Sequence, residues 1–170
     1  VNVNQATIDL IKKFESLHDG NLKVIGLQPK MCPAGIWIVG YGHALRDGNG
    51  QFLRGEACEA DAYRQYACLE ESGARALLAQ DLEIFSNYVF SRIVRPVTDN
   101  QFGAMMSLCY NIGMTEFKNS TVLRLYNETD YAKAADAFQM WDKGTVNGKK
   151  VVLPGLVKRR LAEKTLFLTP

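Results

Sequence analysis

The chain has 170 residues, 47% of them hydrophobic and 22% charged, the mix of a packed soluble protein rather than a disordered or fibrous one. No apolar run reaches the ~18 residues that span a bilayer, and no basic segment followed by an apolar block reads as a secretory signal. The formal charge of +2 hides an asymmetry: residues 1–117 hold 10 basic and 13 acidic side chains, and residues 118–170 hold 10 and 5. A basic C-terminal third favours anionic partners such as nucleic acid, anionic lipid or a cell-wall polymer, beside the plainer reading of a solvated helix face. The chain opens at Val1 rather than methionine, as a removed export segment or a trimmed terminus would leave it.

Near the N-terminus Thr7 is placed to cap a helix carrying IDLIKKFESL. At about 100° per residue, Ile8, Leu10, Ile11, Phe14 and Leu17 fill one half of the wheel and Asp9, Lys12 and Lys13 the other. Glu15 falls between Ile11 and Ile8, a carboxylate on the apolar face near the helix end. Residues 35–55 read as strands and turns: Ile36 to Val39 is β-prone, Asp47-Gly48 and Asn49-Gly50 are turn signals, and Gln51 to Leu53 returns as a partner strand. The following GEACEADAYRQYAC shows no clear period and reads as a surface excursion.

Leu77, Leu78, Leu82, Phe85 and Val89 mark a long amphipathic helix that stops before Pro96. Thr98 and Gln101 have capping-box spacing, and the helix they open runs through Phe102, Met105, Met106 and Cys109 towards Gly113, apolar nearly all round and therefore central. Ser120 or Thr121 starts a short helix, and Asp130 caps another that packs Tyr131, Ala134, Ala135, Phe138 and Trp141. Asn147-Gly148 marks a tight turn and Pro154-Gly155 punctuates. The last helix carries Leu156, Val157 and Leu161, with Arg159 and Arg160 four and three residues before Glu163 and able to pair with it. The class that follows is α+β: a small sheet near the N-terminus and a helical lobe after it, a plan that leaves a groove between lobes.

Among residues able to do chemistry, Glu15 comes first. A carboxyl set among apolar side chains is desolvated in its charged form, which favours the proton-bearing acid and makes Glu15 a candidate general acid. The plainer alternative is a boundary glutamate that turns outward or pairs with an arginine. Cys32 with His43 offers a thiol and an imidazole without an identifiable third group. His18, Cys32 and His43 are 14 and 11 residues apart, which matches no compact metal-ligand pattern. Gly40-Tyr41-Gly42 lacks the residues of a phosphate loop. Cys58 and Cys68 bracket a short polar segment and are spaced to bridge in an oxidising compartment, whereas Cys109 reads as core.

FES at residues 14–16, CPAGIWIVGYGHAL, NQFGAMMSLCYNIG at residues 100–113, FKNSTVLRLYN, DYAKAADAFQMW and LPGLVKRRLAEKTLFL follow one another in an order that resembles the phage-type lysozyme (endolysin) family, glycoside hydrolase family 24. The resemblance covers nearly the whole chain. It implies one lysozyme-like domain over residues 1–170, with a β-containing lobe over about 1–72, a connecting helix over about 73–92 and a helical lobe over about 93–170. It also implies hydrolysis of the β-1,4 bond between N-acetylmuramic acid and N-acetylglucosamine in peptidoglycan, leading to bacterial cell lysis. Glu15 matches the family's catalytic acid. Asn111 in YNIG and Asn119 in FKNS match polar positions that bind the glycan, beside an equally simple role in ending helices. Trp37 and Trp141 are candidates for stacking on sugars, although core packing explains each as well. Tyr41 and His43 read as groups that hold the sheet's shape. The implied partner is the peptidoglycan glycan strand, with no nucleic acid, no membrane span, no metal and no cofactor, and the chain is expected to act as a monomer on the wall in the periplasm.

Two positions depart from the family pattern. Its usual aspartate falls on Cys32 and its usual threonine on Ile38. An ordinary thiol is mostly neutral at pH 7 and a poorer acceptor for water than a carboxylate, and isoleucine offers no hydrogen bond. Cys32 is therefore expected to position water less well. A second reading follows, a catalytically weak or inactive lysozyme-like module that binds the wall. Glu15 and Cys32 are also 17 residues apart, with extra length in HDGNLKVIGLQPKM. Asp19 within it, and Asp47 beyond the strand, are candidates to return a carboxylate to the site, or plain turn residues.

Overall fold

The first helix, α1 (Gln5–Glu15), is capped by Asn4, whose Oδ1 accepts from the Thr7 N–H at 3.0 Å and from Thr7 Oγ1 at 2.7 Å. Thr7, expected at the cap, lies inside the helix and is buried. Asn caps at least as well as Thr, and the Thr7 hydroxyl occupies the space a side chain at Gly103 would need. The computed structural model describes residues 3–17, 19, 20, 23, 26–66, 69–146 and 148–170. His18, Cys68 and Asn147 lie outside the described residues, and with them the metal set using His18, the Cys58–Cys68 bridge and the first half of the Asn147-Gly148 turn. The chain divides into two compact units, Glu15–Asp81 and the residues up to Phe14 together with Leu82–Pro170.

In the first unit β1 (Lys30–Met31), β2 (Trp37–Val39) and β3 (His43–Ala44) form an antiparallel sheet in that order. β1 comes from a segment not expected to pair, whereas β3 lies within the span read as strands and turns. Gln51 to Leu53, expected as the partner strand, pairs only in part: Arg46↔Phe52 is a single bridge, a second bridge Ile36↔Arg54 lies just beyond the expected segment, and Leu53 O accepts from the Trp37 N–H at 3.0 Å. Trp37, Val39, Leu45, Leu53 and Ala62 make the core of this unit. GEACEADAYRQYAC is not a surface excursion: a 3-10 turn (Glu56–Cys58) leads into α2 (Glu59–Gln65), which buries Ala62 and packs Cys58, Tyr63 and Tyr66 on the core. Cys58, Ala62 and Tyr66 are four residues apart, a helical period carried partly by small and amphipathic side chains. The long helix α3 (Glu71–Phe90) begins in this unit and ends in the other.

The second unit is built on α4 (Asp99–Ile112), whose Thr98–Gln101 capping box forms as expected and whose residues 102–109 are all buried. Around it come α5 (Met114–Lys118), α6 (Thr121–Asn127) capped by Ser120, and α7 (Tyr131–Ala137) capped by Asp130, followed by a 3-10 turn at Phe138–Trp141. Ala134, Ala135 and Phe138 pack as expected, while Tyr131 is exposed and Trp141 half-buried. A second antiparallel pair, β4 (Lys143–Val146) and β5 (Lys149–Val152), precedes α8 (Pro154–Leu168). α8 reverses its hydropathy reading. Arg159, Arg160, Glu163 and Phe167 are buried, whereas Val157 and Leu161 are exposed. The fold class is α+β.

Candidate active site

Glu15 is the last residue of α1, and Ser16 leaves the helix in the left-handed region at φ 60°. The carboxylate is half-buried and lies against the turn between β2 and β3. There Gly42 has φ 82°, and a Cβ built on it would stand 3.0 Å from Glu15 Oε2, 3.6 Å from Cδ and 3.9 Å from Cγ. Gly42 thus supplies both a backbone conformation that L side chains rarely adopt and the space that Glu15 fills. Gly40, at φ 60°, does the equivalent for the core, with its missing Cβ 2.9 Å from the Ala74 Cβ.

Cys32 starts the β1–β2 turn, its N–H donating to Ile36 O at 2.8 Å and its carbonyl accepting from the Gly35 N–H at 2.8 Å, with Gly35 at φ 74°. This is a three-residue hairpin loop closed by a left-handed glycine. The register Lys30↔Ile38↔Ala44 puts Ile38 on the face opposite Trp37 and Val39, and alternation carries Cys32 to the same face as Ile38. His43 pairs with Val39 and falls on the other face, where its Nδ1 meets Asp81 Oδ2 at 2.9 Å and its ring stands edge-on to Tyr66. The Cys32–His43 couple is therefore not assembled. Tyr41 is buried at the β2–β3 turn. Asp81, 38 residues from His43, gives no local signal in the sequence.

The two alternative carboxylates both accept backbone hydrogen bonds. Asp47 Oδ1 accepts from the N–H groups of Asn49 and Gln51, each at 2.8 Å, and Asp19 Oδ1 accepts from the Gln28 N–H at 3.2 Å. Trp37 is a core residue whose Nε1 donates to Gly55 O at 2.8 Å. Cys32, Cys58 and Cys109 carry free thiols, and among the described residues no group of three or more His, Cys, Asp or Glu is arranged to hold a metal.

Asn111 and Asn119 belong to the other unit. Asn119 follows α5 as its C-cap residue and donates to Thr115 O at 3.1 Å. Asn111, in the last turn of α4, accepts on Oδ1 from Arg160 Nη2 at 2.7 Å. Arg160 in turn belongs to a buried cluster that sequence spacing foresaw only in part. Glu163 Oε1 accepts from Ser107 Oγ at 2.7 Å and from Arg159 Nε at 3.1 Å, and Arg160 Nε stands 3.0 Å from Glu163 Oε2 as an ion pair rather than an aligned hydrogen bond. Burial pushes the Glu163 carboxyl above its ordinary range, against the pull of Arg160, Arg159 and the Ser107 hydroxyl.

The turn between β2 and β3 thus receives one helix-terminal glutamate in an α+β chain. The Phage lysozyme family model matches residues 21–163, and the chain belongs to that family. It is 36% identical over 167 residues to an endolysin of Acyrthosiphon pisum secondary endosymbiont phage 1, covering 98% of each chain. Among solved structures it is similar to the muramidase domain of SpmX from Asticaccaulis excentricus, at 35% identity and TM-score 0.76 over 99% of both chains. An endolysin from Escherichia coli O157:H7 phage FAHEc1 gives 32% identity and TM-score 0.76 over 99% of this chain and 94% of that one. The fold is lysozyme-like, and the chain is a lysozyme-type glycoside hydrolase, a peptidoglycan hydrolase of the muramidase kind.

Proposed function

We propose that Glu15 is the general acid with which this chain cleaves the β-1,4 bond between N-acetylmuramic acid and N-acetylglucosamine and so lyses the bacterial wall. The observation that carries this reading is the seat of Glu15 against Gly42, where the absent Cβ leaves the space that the carboxyl at the end of α1 fills. Its proton passes to the glycosidic oxygen as the bond from that oxygen to the anomeric carbon breaks. Water then adds to the oxocarbenium-like carbon and its proton passes to solvent, from which the Glu15 carboxylate is reprotonated. We assign Cys32 to positioning that water in place of a second carboxylate. Ile38, on the same face, provides no hydrogen bond, so hydrolysis is slowed but not abolished, since positioning and one acid still contribute.

Asn111, oriented by Arg160, and Asn119 are assigned to the N-acetyl and hydroxyl groups of the glycan, which amides suit as both donors and acceptors. In this reading the whole chain works as one lysozyme-like domain, as a monomer, on peptidoglycan glycan strands in the periplasm after synthesis in the cytoplasm, without metal, cofactor or nucleic acid. The test is loss of turbidity of a peptidoglycan suspension with the parent chain, Glu15→Gln and Cys32→Ala side by side. Glu15→Gln is expected to abolish lysis and Cys32→Ala to slow it. Lysis undiminished in Glu15→Gln would remove the mechanism.

A further inference from the structure

The segment between Met140 and Leu161 carries features that hydrolysis does not use. β4 and β5 pair from Lys143↔Val152 to Val146↔Lys149 as a two-stranded sheet, and every described residue of the pair is exposed except Gly144, against which Leu153 packs. A two-stranded ribbon with no covered face is marginal in water. The β-branched Thr145, Val146, Val151 and Val152 favour it, yet the three valines remain 45, 39 and 52% exposed. At the ribbon's base the Leu153 N–H donates to Asp142 O at 2.9 Å, and beside it Val157 and Leu161 of α8 line a shared depression with Asp142. Those two are also exposed, as is Met140, at 64%.

Set among these six apolar side chains are four exposed lysines, Lys143, Lys149, Lys150 and Lys158, and the one acidic residue between positions 140 and 161 is Asp142, half-buried at the base. A soluble polyanion would meet the lysines and leave the valines in water. A lipid interface takes both, because lysine stems lie along apolar side chains with their ammonium groups at phosphate level, while short apolar groups enter the acyl boundary. We infer that the β4–β5 ribbon and the adjoining exposed edge of α8 form a docking surface for a membrane leaflet rich in anionic phospholipid. No helix among the described residues is long and apolar enough to cross a membrane, and the proposed contact is one of the ribbon and helix edge with the leaflet surface. It uses none of the residues assigned to hydrolysis.

The test is co-sedimentation of the whole chain with vesicles of phosphatidylcholine alone and of equimolar phosphatidylcholine and phosphatidylglycerol, with duplex DNA and soluble polyglutamate as competitors. Binding is expected only to the anionic vesicles. Lys149→Gln with Lys150→Gln should weaken it roughly tenfold or more, given the attraction of each lysine to an anionic surface. Val151→Thr with Val152→Thr keeps the β-branched shape and the charge, and should weaken it severalfold while the thermal midpoint stays within a few degrees. Absence of vesicle binding by the parent chain would overturn the inference. So would valine variants that bind vesicles as the parent does, or complete displacement by a soluble polyanion, either of which would mean that the surface reads charge alone.

Discussion

Replacing Gly42 by alanine probes the seat of Glu15 without touching the carboxyl itself. The new Cβ would stand 3.0 Å from Glu15 Oε2, inside ordinary van der Waals contact, and the flexible end of the glutamate would have to give by a few tenths of an ångström. Alanine at φ 82° also costs about 1–2 kcal/mol of backbone strain. Misplacing a catalytic group by ~1 Å costs about a hundredfold in rate, so a smaller displacement of the acid should lower wall lysis by roughly tenfold, with a modest fall in the thermal midpoint. Gly40→Ala is the control. Its Cβ would meet the Ala74 Cβ at 2.9 Å and Cα at 3.3 Å, atoms fixed in α3 that cannot swing aside, so that variant should lose about 1–3 kcal/mol from overpacking in addition to strain. The assay is the initial rate of turbidity loss normalised to folded protein, with chemical denaturation on the same samples. Gly42→Ala lysing at the parental rate would refute the argument that this glycine is required for the acid's position.

Three further outcomes follow from the same geometry. Ile38→Thr and Cys32→Asp should each leave wall lysis at or above the parental rate, because both add a polar group on the sheet face assigned to water; a large drop in either would mean the water is held elsewhere. Ser107→Ala removes the 2.7 Å hydrogen bond to buried Glu163 and should cost about 1.5–3 kcal/mol in denaturant unfolding, whereas a loss under about 0.5 kcal/mol would show that this bond is not worth an ordinary charge-assisted one. Burial raises the Cys109 thiol to about 12, so at pH 8 about one part in ten thousand is thiolate and its reactivity should rise only as pH climbs towards that value. Peptide mapping after brief alkylation of the folded chain at pH 8 should find Cys32 modified and Cys109 intact, and modification of Cys109 at the rate of Cys32 would contradict its burial.

The parts legible in the sequence were those with local signatures. The Thr98–Gln101 box and the Ser120 and Asp130 caps each need only a few adjacent letters and a backbone donor three residues on. The i,i+3 and i,i+4 spacing of Arg160 and Arg159 to Glu163 was visible for the same reason. What that spacing did not reveal is that these charges face inward and Val157 and Leu161 outward, since hydropathy counts a charge as exposed whether or not a second element supplies its partners; here Ser107 and Asn111 on α4 do so. GYGH gave the turn. It gave neither the fit of Gly42 to Glu15, 27 residues away, nor the His43–Asp81 pair, because contacts distant in sequence leave no period. α2 escaped because its core residue is an alanine, and the lysine-rich β4–β5 ribbon because no packed face imposes alternation on it.

The central claim is tested most directly by analysing the products rather than the lysis. Purified peptidoglycan digested with the parent chain should yield soluble muropeptides ending in reducing N-acetylmuramic acid, identified by mass spectrometry after borohydride reduction. The same digestion with Glu15→Gln should yield none above background. Reducing N-acetylglucosamine ends, or equal product from Glu15→Gln, would contradict the assignment of a muramidase whose acid is Glu15.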